Sequence, residues 1–291
     1  MAEFVRFMER PNRTAGAKVG TLHPLALAAM QQTGEMVSQS KGRSSQRFLQ
    51  GGLSAPITVT WEITAACNIA YIHCLSASGR RRPRELNTEQ ALALVDELAD
   101  MHVFQIHFGG GEPFIYPGIW RVLEQCTKRE LVMCISTNGT LITAERARRL
   151  KMFEPLYFQV SLDGGTPQTN DSIRGKGVFN RAMQGLELLA AENHSLTVNS
   201  VLTRYSFYEL DLLYEIAASF NAKLRVTRLR PSGRGQEVWA DLHPMQEQYS
   251  EFTNWLMAHP DVLTADSFFH LNAFGTRLAG LDLCGAATAT C

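Results

Sequence analysis

From residue 57 onward the chain alternates short β-rich runs with amphipathic helical segments, and this alternation restricts the fold more than any other feature. The spacing predicts strands over 57–63, 103–108, 131–136, 157–162, 196–202 and 223–229. Helices are predicted near 88–101, 118–128, 143–151, 179–192 and 207–220, with a further one over 245–258. In the first helix Leu92, Val95 and Leu98 make an apolar stripe, and Asn87 stands at the N-cap position. Strand, helix and strand repeated in this way call for a parallel sheet with right-handed crossovers.

Six such units suit either a doubly wound sheet or a partial barrel. The residues that follow the strands favour the barrel. Cys67, then Gly109-Gly110-Gly111-Glu112-Pro113, Ser136-Thr137-Asn138-Gly139 and Ser161-Leu162-Asp163-Gly164 put polar and glycine-rich residues at one end of successive strands. A barrel gathers such residues at one mouth, whereas a doubly wound sheet concentrates them at one switch point. The expected architecture is α/β, a partial (β/α)6 TIM-type barrel over 51–240. A partly flexible extension over 1–50, with room for one helix within 25–37, is expected before it. A barrel-closing helix and the start of a further region are expected over 241–291.

The bulk properties exclude more than they suggest. The chain carries 28 Lys and Arg against 28 Asp and Glu, so charge gives no pull toward nucleic acid or an anionic membrane. Glu3, Arg6, Glu9 and Arg10 interrupt any secretory signal, and the apolar stretch 25–30 is far too short to span a bilayer. Six cysteines without an export signal point to a reducing, cytoplasmic setting in which thiols serve metals or the core. Cys126 and Cys134 fall in a predicted helix and a predicted strand and are expected in the core.

By spacing alone, Cys67 and Cys74 are two thiols on the loop after the first strand. With Gly110-Gly111-Glu112-Pro113 after the second strand, the segment Cys67-Asn68-Ile69-Ala70-Tyr71-Ile72-His73-Cys74 resembles the radical S-adenosylmethionine (SAM) superfamily. That family's signature is three cysteines spaced C-x3-C-x2-C. Cys67 and Cys74 match the first and third, and Tyr71 occupies the second. The resemblance implies a [4Fe–4S] cluster on three thiolates, with SAM chelating the fourth iron and yielding a 5′-deoxyadenosyl radical. It also implies that His73 lies near the adenine and that Gly110, Gly111, Glu112 and Pro113 lie at the methionine amino group. Ser136 and Asn138 would lie at the ribose, and Ser161 and Arg174 at the methionine carboxylate. Plainer readings stand beside these: glycines and Asn-Gly pairs make turns, Arg174 suits a surface ion pair, and Asp163 suits a turn.

Within the superfamily the chain resembles the mycofactocin maturases, peptide-modifying members with a C-terminal SPASM extension. The resemblance rests on Trp61-Glu62-Ile63-Thr64, His73-Cys74-Leu75-Ser76-Ala77-Ser78-Gly79-Arg80-Arg81 and Pro83-Arg84-Glu85-Leu86. It continues through Asp96-Glu97-Leu98-Ala99-Asp100-Met101, Arg228-Leu229-Arg230-Pro231-Ser232-Gly233-Arg234-Gly235 and Asp266-Ser267-Phe268-Phe269-His270-Leu271. It implies oxidative decarboxylation and crosslinking of the C-terminal Val-Tyr of a small precursor peptide. A peptide-binding chaperone would deliver that peptide, and an external reductant would supply electrons. Arg228 and Arg230 could pair with a peptide carboxylate or with acidic residues of the barrel. Cys284 stands where the first auxiliary-cluster ligand of a SPASM region would, and the chain ends at Cys291, so the remaining ligands are expected to be missing.

Tyr71 sets an expectation of its own. A phenol titrates near 10 and a thiol near 8.5, so tyrosine replaces a thiolate on iron poorly. The cluster is expected to be labile or absent and activity impaired. Two further readings are a non-catalytic relative that binds peptide or chaperone, and a maturase for another product such as pyrroloquinoline quinone.

Overall fold

The computed structural model describes residues 55–264 and Phe268. The expected N-terminal extension and its helix, the 266–271 motif apart from Phe268, Cys284 and Cys291 lie outside the described residues.

Six parallel strands form one open sheet: β1 (Thr58–Thr64), β2 (Gln105–Gly110), β3 (Val132–Thr137), β4 (Leu156–Ser161), β5 (Ser195–Leu202) and β6 (Lys223–Arg228). Their spatial order is their sequence order, β1-β2-β3-β4-β5-β6, so the sheet has no switch point and winds as a barrel does. With right-handed crossovers this order sends every connecting helix to the same face. Those helices are α1 (Thr88–Asp100), α2 (Ile119–Lys128), α3 (Ala144–Leu150), α4 (Pro167–Arg174), α5 (Val178–Ala191) and α6 (Leu210–Ser219). After β6 come a single turn, α7 (Trp239–Leu242), and the longer α8 (Gln246–Ala258).

Side chains alternate across a strand, and the two faces differ sharply. Toward the helices point Ile106, Phe108, Met133, Ile135, Phe158, Val160, Val198, Leu224 and Val226, all buried in one core with Val95, Leu123, Leu186 and Leu213 of the helices. Truncating one of its rings, as in Phe108→Ala, would cost about 3–5 kcal/mol. The opposite face is polar. Paired positions set Thr60, His107, Cys134 and Tyr157 side by side, then Ser136, Gln159 and Thr197, then Ser161, Asn199 and Arg225.

The strands lie within two residues of their predicted ends. Asn87 caps α1 in a capping box, accepting from Gln90 N–H while Gln90 Oε1 accepts from Asn87 N–H, each at 3.0 Å. Three expectations are corrected. The helix predicted over 207–220 begins with a 3-10 turn, Ser206–Glu209, before α6. Cys126 is buried, but Cys134 is only partly so, because it lies on the polar face. Helix α4 was not foreseen, although Thr166 followed by Pro167 is a helix-start signal and Gly175, at φ +103°, ends it.

Candidate functional site at the strand ends

The loop after β1 is fastened to β2 by the glycine run. Gly111 N–H donates to Thr64 O at 2.6 Å and Glu112 N–H to Ala66 O at 2.8 Å. A Cβ on Gly111 would lie 2.0 Å from Ala66 O, and Gly110 adopts φ +102° with Thr64 O 2.5 Å from its would-be Cβ. Only glycine fits either place. Gly109 differs: a Cβ there would meet nothing within 4 Å. Packing does not demand glycine at that position, so the backbone of β2 is left open on the polar face.

Glu112 then ties three strand ends together. Its carboxylate, fully buried, accepts from Thr137 Oγ1 at 2.9 Å, Asn138 N–H at 2.8 Å and Phe114 N–H at 3.3 Å. Burial pushes its pKa up to about 7, although these donors and nearby Arg146 pull the other way. Pro113 opens the 3-10 turn that follows. Asn138 donates through Nδ2 to Asn68 Oδ1 at 2.9 Å and lies 3.9 Å from Cys67 Sγ. Ser136 Oγ is 2.7 Å from His107 Nε2, whose pKa burial and Arg225 lower to about 4, so the ring is neutral.

The cysteine loop itself is held by residues whose part the sequence did not disclose. Glu85 accepts from Thr64 Oγ1, Ala65 N–H, Arg82 N–H and Arg81 Nε at 2.8–2.9 Å, locking the Pro83–Leu86 motif to the end of β1. Arg234 donates from Nε to Tyr71 O at 2.9 Å and from Nη1 to Ser78 O at 2.8 Å, and its N–H donates to Cys74 O at 3.0 Å. Gly233 sits at φ +56°, where a Cβ would lie 2.3 Å from Cys74 O. The Arg230–Gly235 motif is therefore a strap across the loop.

Tyr71 is enclosed by cations. Its ring lies 4.8 Å from the Arg174 guanidinium and 5.9 Å from that of Arg234, with His73 edge-on at 5.2 Å. Burial, with Arg174 opposing it and Cys74 adding to it, pushes the phenol well above its ordinary value. Cys74 is fully buried, which disfavours its thiolate. The adjacent Tyr71, hydrogen bonds with Ser78 N–H and Ser76, and nearby Arg234 nevertheless bring its pKa below the ordinary value. Cys67 is pushed up by burial.

Arg174 Nε donates to Asp163 Oδ2 at 2.6 Å. His73 Nε2 lies 2.9 Å from the same oxygen, with its N–H out of line for a hydrogen bond. Asp163 is completely buried, which opposes ionisation, but Arg174 and then His73 hold its carboxyl well below the usual range. Its other oxygen accepts from Val201 N–H at 2.8 Å, so Asp163 joins the ends of β4 and β5 to α4 and the cysteine loop.

The structure thus brings Cys67, Asn138 and Glu112 together, and separately Tyr71, His73, Cys74, Asp163 and Arg174. Ser161 ends β4 beside Asn199. Arg228 ends β6, partly buried near His243 and Tyr249, and Arg230 is exposed. Neither forms an ion pair with a described residue.

Two thiols with a protonated phenol between them do not fit a cluster that needs three thiolates. Among the described residues no group of three His, Cys, Asp or Glu side chains could hold a metal ion. The open polar face at Gly109, with Ser136, Asn138 and Ser161 around it, does suit a polar nucleotide. Among the described residues no helix is long and apolar enough to cross a membrane.

Residues 61–209 match the model of the radical SAM superfamily. The chain is 47% identical over 244 residues to the mycofactocin maturase MftC of Mycolicibacterium smegmatis and 46% identical to that of Mycobacterium tuberculosis, covering 82% of this chain in each case. It spans 62% of the length of those relatives. Similar folds occur in SuiB of Streptococcus suis, solved with its precursor peptide SuiA, and in anSMEcpe, solved with AdoMet. For SuiB the TM-score is 0.64 at 14% identity, covering 97% of this chain and 64% of that one. For anSMEcpe it is 0.58 at 15% identity, covering 75% and 67%.

Proposed function

This chain belongs to the radical SAM superfamily, and from that premise we propose that it carries the SAM- and peptide-binding barrel of a mycofactocin-type peptide maturase, with Tyr71 withholding the iron–sulfur cluster. The substrate is the C-terminal Val-Tyr of a small precursor peptide, handed over by a peptide-binding chaperone. The activity of the lineage is oxidative decarboxylation and crosslinking, with electrons from an external reductant. In this chain that activity is impaired.

High identity to the mycofactocin maturases supports the first part. The observation that carries the second is Tyr71 itself, a buried phenol packed against the Arg174 guanidinium where the family's middle cysteine would stand. Its raised pKa keeps the phenol protonated, so it offers iron a neutral oxygen in place of a thiolate. SAM would be held by backbone at Gly110 and Gly111 and by Ser136, Asn138 and Ser161, with His73 at the adenine. When bound it supplies a sulfonium. Arg174 reaches its carboxylate only by sharing or leaving Asp163. A non-catalytic role in binding peptide or chaperone is the second reading, and the same residue favours it. The barrel offers two thiolates, Cys67 and Cys74, to a cluster that takes three.

The test is anaerobic reconstitution with iron and sulfide, followed by SAM and a strong reductant. The unmodified protein is expected to retain little iron and release little 5′-deoxyadenosine, while Tyr71→Cys gains both. Full iron and sulfide content without the substitution would overturn the proposal.

A further inference from the structure

β1 is the edge strand of the sheet, paired on one side with β2 and with no strand on its other side among the described residues. Gln105 N–H donates to Ile57 O at 3.0 Å, so the odd-numbered residues that follow Ile57 turn their N–H and C=O toward β2. Thr58, Thr60 and Glu62 turn theirs outward. Beyond the bulge after Glu62 the outer side is occupied. Ala65 N–H donates to Glu85 Oε1 and Ala65 O accepts from Gly79 N–H, both at 2.8 Å. The opposite edge of the sheet is occupied as well: Val226 N–H donates to Leu263 O and Leu263 N–H to Leu224 O, each at 2.9 Å. Among the described residues the stretch 58–62 has no such partner, and an edge of that kind is a template for another extended chain.

A cavity of about 320 Å³ lies along this edge. Trp61, Ile63, Ala65 and Leu86 give it an apolar lining, and Arg82 and Arg84 a basic one. Glu85 and Glu62 line it too. Glu85 is already engaged by the donors of Thr64, Ala65, Arg81 and Arg82, and the Glu62 side chain alternates to the polar face, opposite to Trp61 and Ile63. Arg80, Arg81, Arg82 and Arg84 are all exposed, and of these Arg81 alone pairs with a carboxylate among the described residues. Open backbone, an apolar floor and unpaired arginines together select an extended chain with acidic side chains among apolar ones.

We propose that the outer edge of β1 binds an extended acidic segment of the precursor peptide as an added strand, with its carboxylates on Arg82 and Arg84. This deepens the peptide-maturase reading above and rests on it. All five ladders of the sheet are parallel, and a chain added in the same sense runs its C-terminal end toward Cys67 and the mouth. The edge therefore holds the part of the substrate that precedes Val-Tyr.

The experiment uses the full chain and a labelled peptide, Glu-Val-Val-Glu-Glu-Val-Val-Glu-Gly-Gly-Val-Tyr, with affinity read by fluorescence anisotropy. Its period places both residue types on each face of the strand. It is expected to bind at least ten-fold more tightly than the same peptide with lysine for glutamate, and to weaken with salt. Single N-methylation along its first eight residues should cost about ten-fold at alternate positions and little at those between, because alternate residues face β1. Arg84→Gln should weaken it several-fold, with the melting temperature and the affinity for Gly-Gly-Val-Tyr unchanged. Glu62→Gln, which removes a like charge beside the edge, should tighten it roughly two-fold. Equal affinity for the acidic and lysine peptides, or N-methylation costs without alternation, would overturn the proposal and leave the maturase reading intact. A dimer in sedimentation velocity that the acidic peptide does not dissociate would assign the edge to a second copy of this chain and overturn it equally. Failure of Gly-Gly-Val-Tyr to bind, together with the acidic peptide, would overturn the maturase reading as well.

Discussion

Asp163 and Arg174 form a buried ion pair, 2.6 Å from Nε to Oδ2, with side-chain exposures of 0% and 4%. The pair binds the end of β4 to the helix that follows it, and the same guanidinium lies over Tyr71. One arginine therefore supports both the strand end and the loop that carries Cys67 and Cys74.

Removing Arg174 leaves a buried carboxylate without its guanidinium partner. Arg174→Ala should cost about 3–5 kcal/mol of unfolding free energy in a denaturant titration. Because the pair holds the Asp163 pKa down, its stabilisation is present above the ordinary aspartate range and is lost as pH falls below about 4. Asp163→Asn should lack that acid-dependent component.

Glu112 has the opposite sign. Its folded pKa of about 7 lies above its ordinary 4.5, so between those values the folded chain keeps a proton that the unfolded chain has lost. Stability should fall as pH rises through that window, by roughly 3 kcal/mol in all. In Glu112→Gln this slope should vanish even though the variant is less stable overall, because its amide faces donors. Melting temperatures at intervals from pH 4 to pH 8 would check this, and an unchanged slope would refute it.

The strap across the cysteine loop predicts a local effect. Arg234→Ala loses donors to Tyr71 O and Ser78 O, so amide hydrogen exchange across residues 71–79 should accelerate while the sheet stays protected. Gly233→Ala should be worse, since its Cβ would strike Cys74 O and its φ is positive. Uniform exchange in both variants would show that the strap holds nothing.

Arg228 and Arg230 are charged, without carboxylate partners among the described residues, and close in sequence at the end of β6. If they take the peptide carboxylate, Arg228→Ala and Arg230→Ala should each weaken a Val-Tyr peptide several-fold, and the loss should shrink at high salt. Amidation of the peptide C-terminus should mimic the double variant. Undiminished affinity in either variant removes that residue from the site.

The alternation of β-rich runs with amphipathic helices was enough to determine the parallel sheet, its winding and most element ends. Periodicity is a local property, and each element buries the face that its own residues mark as apolar. The capping box at Asn87 and the glycines at 110 and 111 were readable for the same reason, although what Gly111 avoids, Ala66 O, was not. That Tyr71 stands where a cysteine is usual could be seen only from the resemblance of residues 67–74 to the radical SAM motif. Its enclosure by Arg174, Arg234 and His73 joins segments up to about 160 residues apart, and only the folded sheet brings them together. The same holds for Glu85, Asp163 and Asn199. A polar residue in a strand says nothing about its partner until the register of the neighbouring strands determines whether that partner exists.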